Sequence, residues 1–194
     1  MINYSEYINN LKISLDDLEK RKDIIEEMSK NIIECFENNN KLLVCGNGGS
    51  CSDAAHFAGE LTCTFKSKNK KALPAIDIGS SMTALTAWGN DFDFDSFFER
   101  QVTALGREKD ILFLISTGGG NIKENISMNL VKAANKAKKI GMKVISLIGK
   151  SGGELKKLSD VSFVVKSNET SHVQETHIVL LHMICEIIEK KYAK

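Results

Sequence analysis

Three times along this chain a short run of apolar residues ends abruptly in glycines. "KLLVC" (41–45) runs into "GNGGS", "DILFLIS" (110–116) into "TGGGN", and "KVISLIG" (143–149) into "KSGGEL". Each run is continuous rather than alternating, the pattern of a strand buried on both faces. Helix-period segments follow the glycines. Strand, glycine turn and helix in repetition predict an α/β fold: a parallel β-sheet flanked by helices on both faces, a flavodoxin-like three-layer sandwich. In such sheets ligands bind at the carboxyl ends of the strands, where these glycines lie.

"LPAIDIG" and "VSFVV" supply two further strands. Helices are expected near "SSMTALTAW", over "DSFFERQVTALG", and from about Val173 to Lys190. Residues 3–37 read as helical. Ile8, Leu11, Ile13, Leu15 and Leu18 form an imperfect apolar set, and Ile24, Ile25, Met28, Ile32, Ile33 and Phe36 a clearer stripe. We expect 1–40 to be a helical segment packing on the same domain and in an oligomer, and 41–194 to be the α/β domain. Nothing reads as a linker, for Pro74 is the only proline. A chain of 194 residues buries a sufficient core without disulfide staples.

Charge narrows the partners. The formal net charge is +1, with no basic stripe of the kind that grips nucleic acid. The lysines of "FKSKNKK" (66, 68, 70 and 71) read as a solvated loop, or as local steering of an anionic substrate. No apolar run approaches a membrane span, and the N-terminus carries no apolar signal core. Five cysteines without C-x-x-C spacing fit free thiols in a reducing cytoplasm. Cys45 and Cys185 fall within apolar patterns and are expected to be buried, and Cys51 to be open to solvent.

Spacing excludes two nucleotide motifs. Gly46 and Gly48 begin a G-x-G-x-x-G, but Cys51 stands at the third glycine. Gly149-Lys150-Ser151 would end a P-loop, but Val144 stands where its first glycine belongs. What remains are bare backbone amides and hydroxyls ahead of helix N-termini, a competent site for phosphate or carboxylate. Glycines that merely make tight turns are the plainer reading of either loop alone. Directly after the first loop, His56 and Glu60 share a helix face at i, i+4, able to hold a metal, move a proton or do neither.

Taken in order, "CGNGGSCSDAAHFAGEL", "GNDFDFDSFFERQV", "ISTGGGN", "GMKVISLIGKSGGEL" and "VQETHIVLLHMICEIIE" resemble the phosphoheptose isomerases of the sugar isomerase (SIS) fold, over about residues 41–190. The resemblance implies a cytoplasmic homotetramer with active sites at subunit interfaces. It implies conversion of D-sedoheptulose 7-phosphate to D-glycero-D-manno-heptose 7-phosphate, supplying heptose for lipopolysaccharide or capsule. On this resemblance Asn47, Gly48, Gly49, Ser50, Asn90, Asp91, Ser116, Thr117, Gly118, Asn121 and Gln174 bind substrate, together with Glu60. Glu60 and His182 carry protons. His56, Glu60, Gln174 and His182 hold one zinc per subunit. On helical geometry alone His177, three residues from Gln174, is a rival to His182, and His182 also reads as a core histidine within "IVLLHMI". The chemistry suits these residue types: an enediol route needs a partly desolvated carboxylate as base, with an acid partner or a Lewis acid beside the oxygens.

Some residues depart from the resembled pattern. The phosphate loop S-T-S-G-N-S is here Ser116-Thr117-Gly118-Gly119-Gly120-Asn121, with Asn121 at the last serine's place and pairing with Glu124 to cap the next helix. Six additional residues precede "LVKAANKAKKIGMKVI". The spacing of Ile122, Ile126, Leu130, Ala133 and Ala137 predicts two more turns of helix, an enlarged loop returning Ser127 to the site being the alternative. Thr64 replaces a basic residue, and Ser171 with His172 replaces an aspartate. Two other readings stay open: a non-catalytic SIS tetramer that binds a protein, and an isomerase of a different sugar phosphate.

Overall fold

The computed structural model describes residues 2–192. Five parallel strands form one sheet: β1 (Leu42–Gly46), β2 (Ala75–Asp77), β3 (Ile111–Ser116), β4 (Lys143–Gly149) and β5 (Val161–Val165). Their spatial order is β2-β1-β3-β4-β5. The chain therefore winds outward in both directions from β1 and β3. That reversal opens a crevice beyond the carboxyl ends of these two strands, the place where doubly wound sheets bind ligands.

Both faces are covered, so the strands are apolar throughout. Leu42 and Val44 of β1, Ile111, Phe113 and Ile115 of β3, and Ile145 and Leu147 of β4 meet one helical layer. It contains α1 (Tyr4–Lys20), α2 (Lys22–Glu37), α3 (Gly49–Thr62) and α8 (Thr170–Tyr192). Leu43, Cys45, Leu112, Leu114, Val144 and Ile148 face the other way. They meet α4 (Met82–Asp91), α5 (Phe97–Leu105), α6 (Met128–Ile140) and α7 (Gly153–Leu158). Cys45 and Cys185 are buried, whereas Cys51 is only partly exposed.

The apolar stripe of α2 serves this core. Ile25, Met28, Ile32 and Phe36 are buried within the chain, with Ile24 and Ile33 half-buried beside them. Within residues 2–40 the exposed large apolar side chains lie at and before α1, at Ile2, Tyr4, Ile8 and Ile13. Arg21, between α1 and α2, ties the segment to β5: it pairs with Asp17, donates to the Val164 carbonyl at 2.9 Å and covers the Phe163 ring.

The lysine-rich loop is largely solvated as expected, with Lys66, Lys68 and Lys71 exposed; within it Lys70 Nζ donates to the carbonyls of Glu60 and Leu61, and Lys66 pairs with Glu186 at the surface. The Lys70 cation complements the carbonyls at the end of α3. The six additional residues are not helix. Asn121 and Ile126 pair backbone to backbone in both directions, at 3.0 and 2.9 Å, closing a small hairpin. Asn121 Oδ1 accepts from the amides of Lys123 and Glu124, a turn within the hairpin rather than a cap on α6. Asn125 and Ser127 have φ of 55° and 52°, which breaks a right-handed helix. Hence α6 begins only at Met128, and Ser127, not Asn121, stands at its N-cap.

Candidate active site

The first glycine loop turns β1 into α3 within three residues. Gly48 adopts φ 57° at the α3 N-cap, and the amides of Ser50 and Cys51 donate to the carbonyls of Asn47 and Gly48, each at 3.0 Å. Gly49 lies so close to Gln174 of α8 that a Cβ would overlap its carboxamide. Ser50 is buried under the turn. The loop is built for close approach, and Gln174 is the side chain that approaches it.

Asn47 faces the first turn of α6. Its Nδ2 donates to Asn129 Oδ1 at 2.9 Å, and Asn129 Nδ2 donates back to Asn47 Oδ1 at 2.8 Å. The second loop itself divides by glycine. Ser116 Oγ accepts from the Gly119 amide at 3.0 Å, bending the chain after β3. Gly119 and Gly120 have φ of 72° and 80°, and their carbonyls accept from the amides of Leu155 and Glu154 at 2.8 and 3.1 Å. They are committed to packing against Gly152–Gly153 and α7. At Gly118, by contrast, nothing lies within 4 Å of where a Cβ would project. Of the three glycines only this one leaves open room in the loop.

The proton-transfer candidates meet between α3 and α8. His56 Nε2 lies 3.3 Å from Glu60 Oε1 and 3.1 Å from His182 Nε2. Phe65 stacks on the His182 ring with centroids 5.7 Å apart. His182, not His177, is thus the α8 histidine that reaches α3. His177 points into the core, fully buried with neither ring nitrogen hydrogen-bonded. Burial pushes its pKa down to about 4. Asn90 and Asp91 end α4, exposed and bonded to one another at 2.9 Å. Among the described residues no hydrogen bond joins either to the glycine loops or the imidazoles.

Zinc can be tested against these donors. Bonds of about 2.0–2.1 Å in a tetrahedron place neighbouring ligand atoms about 3.3 Å apart. The His56–His182 and His56–Glu60 separations match such edges. Two separations around His56 therefore suit zinc, but the donors are not gathered about one point: among the described residues no three His, Cys, Asp or Glu side chains are placed to hold a metal ion together. Gln174, the fourth expected ligand, is turned toward Gly49.

Three residues escaped the sequence reading. Asn129 is 1% exposed, a polar side chain that helical periodicity hides among apolar neighbours. Asp53 lies one turn before His56 with Oδ2 buried and unpartnered. Burial lifts its carboxyl up to about 6, against the opposing pull of His56. Phe65 lies beyond α3 in a stretch whose only sequence signal is charge. At the place of the resembled aspartate, His172 is buried against Tyr7, whose hydroxyl donates to Glu175 at 2.6 Å.

Residues 6–149 match the family model for the SIS domain. The phosphoheptose isomerase of Helicobacter pylori strain P12 is 42% identical over 188 residues, covering 97% of this chain and 94% of that protein. Phosphoheptose isomerase 1 of Campylobacter jejuni is 44% identical over 168 residues, 87% of each. A solved phosphoheptose isomerase from Francisella tularensis superposes with a TM-score of 0.89 at 34% identity, covering 96% of both chains. A doubly wound sheet with glycine loops at its switch point and this domain match define a SIS-domain protein. Within that class, the chain belongs to the phosphoheptose isomerase family.

Proposed function

We propose that this protein is an aldose–ketose isomerase converting sedoheptulose 7-phosphate to glycero-manno-heptose 7-phosphate through an enediol. The observation that carries the reading is the meeting of His56, Glu60 and His182 beside two glycine loops at the β1/β3 switch point. The loops bind the phosphate and hydroxyls through backbone amides, Ser116, Thr117, the open face at Gly118, and Ser127 at the start of α6. Glu60 removes the proton from the carbon beside the carbonyl and returns it to its neighbour. With no metal bound, oxyanion and hydroxyl protons pass through His182, whose ring is held by Phe65 and His56; with zinc on its Nε2 that lone pair is taken, and the ion would stabilise the oxyanion instead.

His56, Glu60 and His182 would hold zinc, with Gln174 completing the set by rotation of its side chain. Bound there, the ion supplies Lewis acidity to the substrate oxygens. A tetramer with interfacial sites belongs to the same proposal. Asn90 and Asp91 are exposed and separate from their own chain's imidazoles, the disposition expected of residues that complete a neighbouring subunit's site. The product feeds heptose into a surface glycan, lipopolysaccharide or capsule, in the cytoplasm.

Incubation of the purified protein with sedoheptulose 7-phosphate tests the proposal. Aldose phosphate should accumulate to equilibrium, and Glu60→Gln should slow it roughly 100-fold to 10,000-fold. Turnover of another sugar phosphate alone would reassign the substrate. No turnover of any would leave a binding role.

A further inference from the structure

We infer that Asn129 is a positioning residue of this active site, and that Asn47 acts in it as a strut as much as a ligand. The two carboxamides form a reciprocal pair, 2.9 and 2.8 Å, across 82 residues of sequence. Asn129 Oδ1 also accepts from the Leu130 amide at 2.9 Å, which fixes the orientation of its carboxamide. Asn129 is 1% exposed, so leaving its carboxamide without partners is costly, although Asn47 across from it is half-buried. The pair joins the loop after β1 to the first turn of α6, and so ties together the two sides of the switch-point crevice.

The hairpin explains why a strut is needed here. Six residues intervene between the second loop and α6, and the Asn121–Ile126 backbone pair closes that excursion at its neck. Ser127 follows in a left-handed conformation with no side-chain cap bond. The start of α6 therefore takes its position relative to the first loop from Asn129. One Nδ2 hydrogen and one Oδ1 lone pair of Asn47 are spent on the pair, so its contact to substrate comes from the second of either, or from its backbone.

This inference rests on the isomerase reading, and its test separates the two. In the full chain, Asn47→Ala, Asn129→Ala and the double variant are compared with wild type by kcat and KM on sedoheptulose 7-phosphate. Hydrogen exchange over residues 46–52 is followed in the same four proteins without substrate. Each single variant should lose roughly 10-fold to 100-fold in kcat/KM, mostly through KM. The double variant should lose no more than the worse single, because one interaction is removed twice. Loop amides should exchange faster in Asn129→Ala while α8 amides stay unchanged. Losses that multiply, or exchange in the loop that does not change, would overturn the strut. If wild type turns over no sugar phosphate, the isomerase reading fails and the exchange measurement still decides the strut.

Discussion

His56 on α3 and His182 on α8, 126 residues apart in sequence, place their Nε2 atoms 3.1 Å from one another. Two imidazole nitrogens at that distance need one proton between them or a shared cation. Glu60 stands on the same nitrogen of His56, at 3.3 Å. A His182→Gln variant should keep its fold and lose roughly 100-fold or more in kcat. Metal analysis after dialysis against zinc should find about one ion per subunit in wild type and a loss of it in His56→Gln. Chelation should then lower activity, and zinc restore it. Full activity in metal-free protein would remove zinc from the mechanism.

The glycines of the second loop should respond oppositely to substitution. Gly118 has open space at its Cβ position, so Gly118→Ser adds a hydroxyl facing the loop without a clash. Its expected effect is a KM lowered about tenfold, the value of one hydrogen bond to a charged phosphate. Gly119 has φ 72°, and a Cβ there would overlap the Gly152 carbonyl. Gly119→Ala should cost about 2 kcal/mol or more and lower Tm. Equal tolerance at both positions would contradict the division of the loop.

His177 sets an acid limit. Its folded pKa, about 4, lies below the ordinary histidine value of 6.5 because burial disfavours the charged ring. The folded chain therefore binds fewer protons than the unfolded chain between these values. Stability from this group is complete above pH 6.5 and declines as pH falls toward 4, by about 3 kcal/mol. A His177→Leu variant, followed by denaturant unfolding at several pH values, should show a shallower loss over that window. An identical slope would mean that other groups carry the acid sensitivity.

The sheet was legible because β1, β3 and β4 are buried on both faces, which leaves unbroken apolar runs ending in glycine. β2 is three residues long and shows only its outline in "LPAIDIG". Periodicity predicts helix where the hairpin lies because Ile122 and Ile126 keep helical spacing, yet both stand exposed on a turn. Side-chain bonds from Asn121 and left-handed φ at Asn125 and Ser127 overrode that periodicity. The choice between His177 and His182 needed the packing of α8: one side of that helix meets the sheet, and another meets α3. Asn129 shows the same limit, since a buried amide and an exposed one look alike until the partner strand's loop is in place.

The most direct measurement is proton NMR of the purified protein with sedoheptulose 7-phosphate in D₂O. Glycero-manno-heptose 7-phosphate carrying deuterium at C2 is expected, since a proton held on Glu60 exchanges with solvent before its return, and no such signal from Glu60→Gln. A folded protein that yields neither the aldose nor any deuterium in the ketose would contradict the proposed isomerisation.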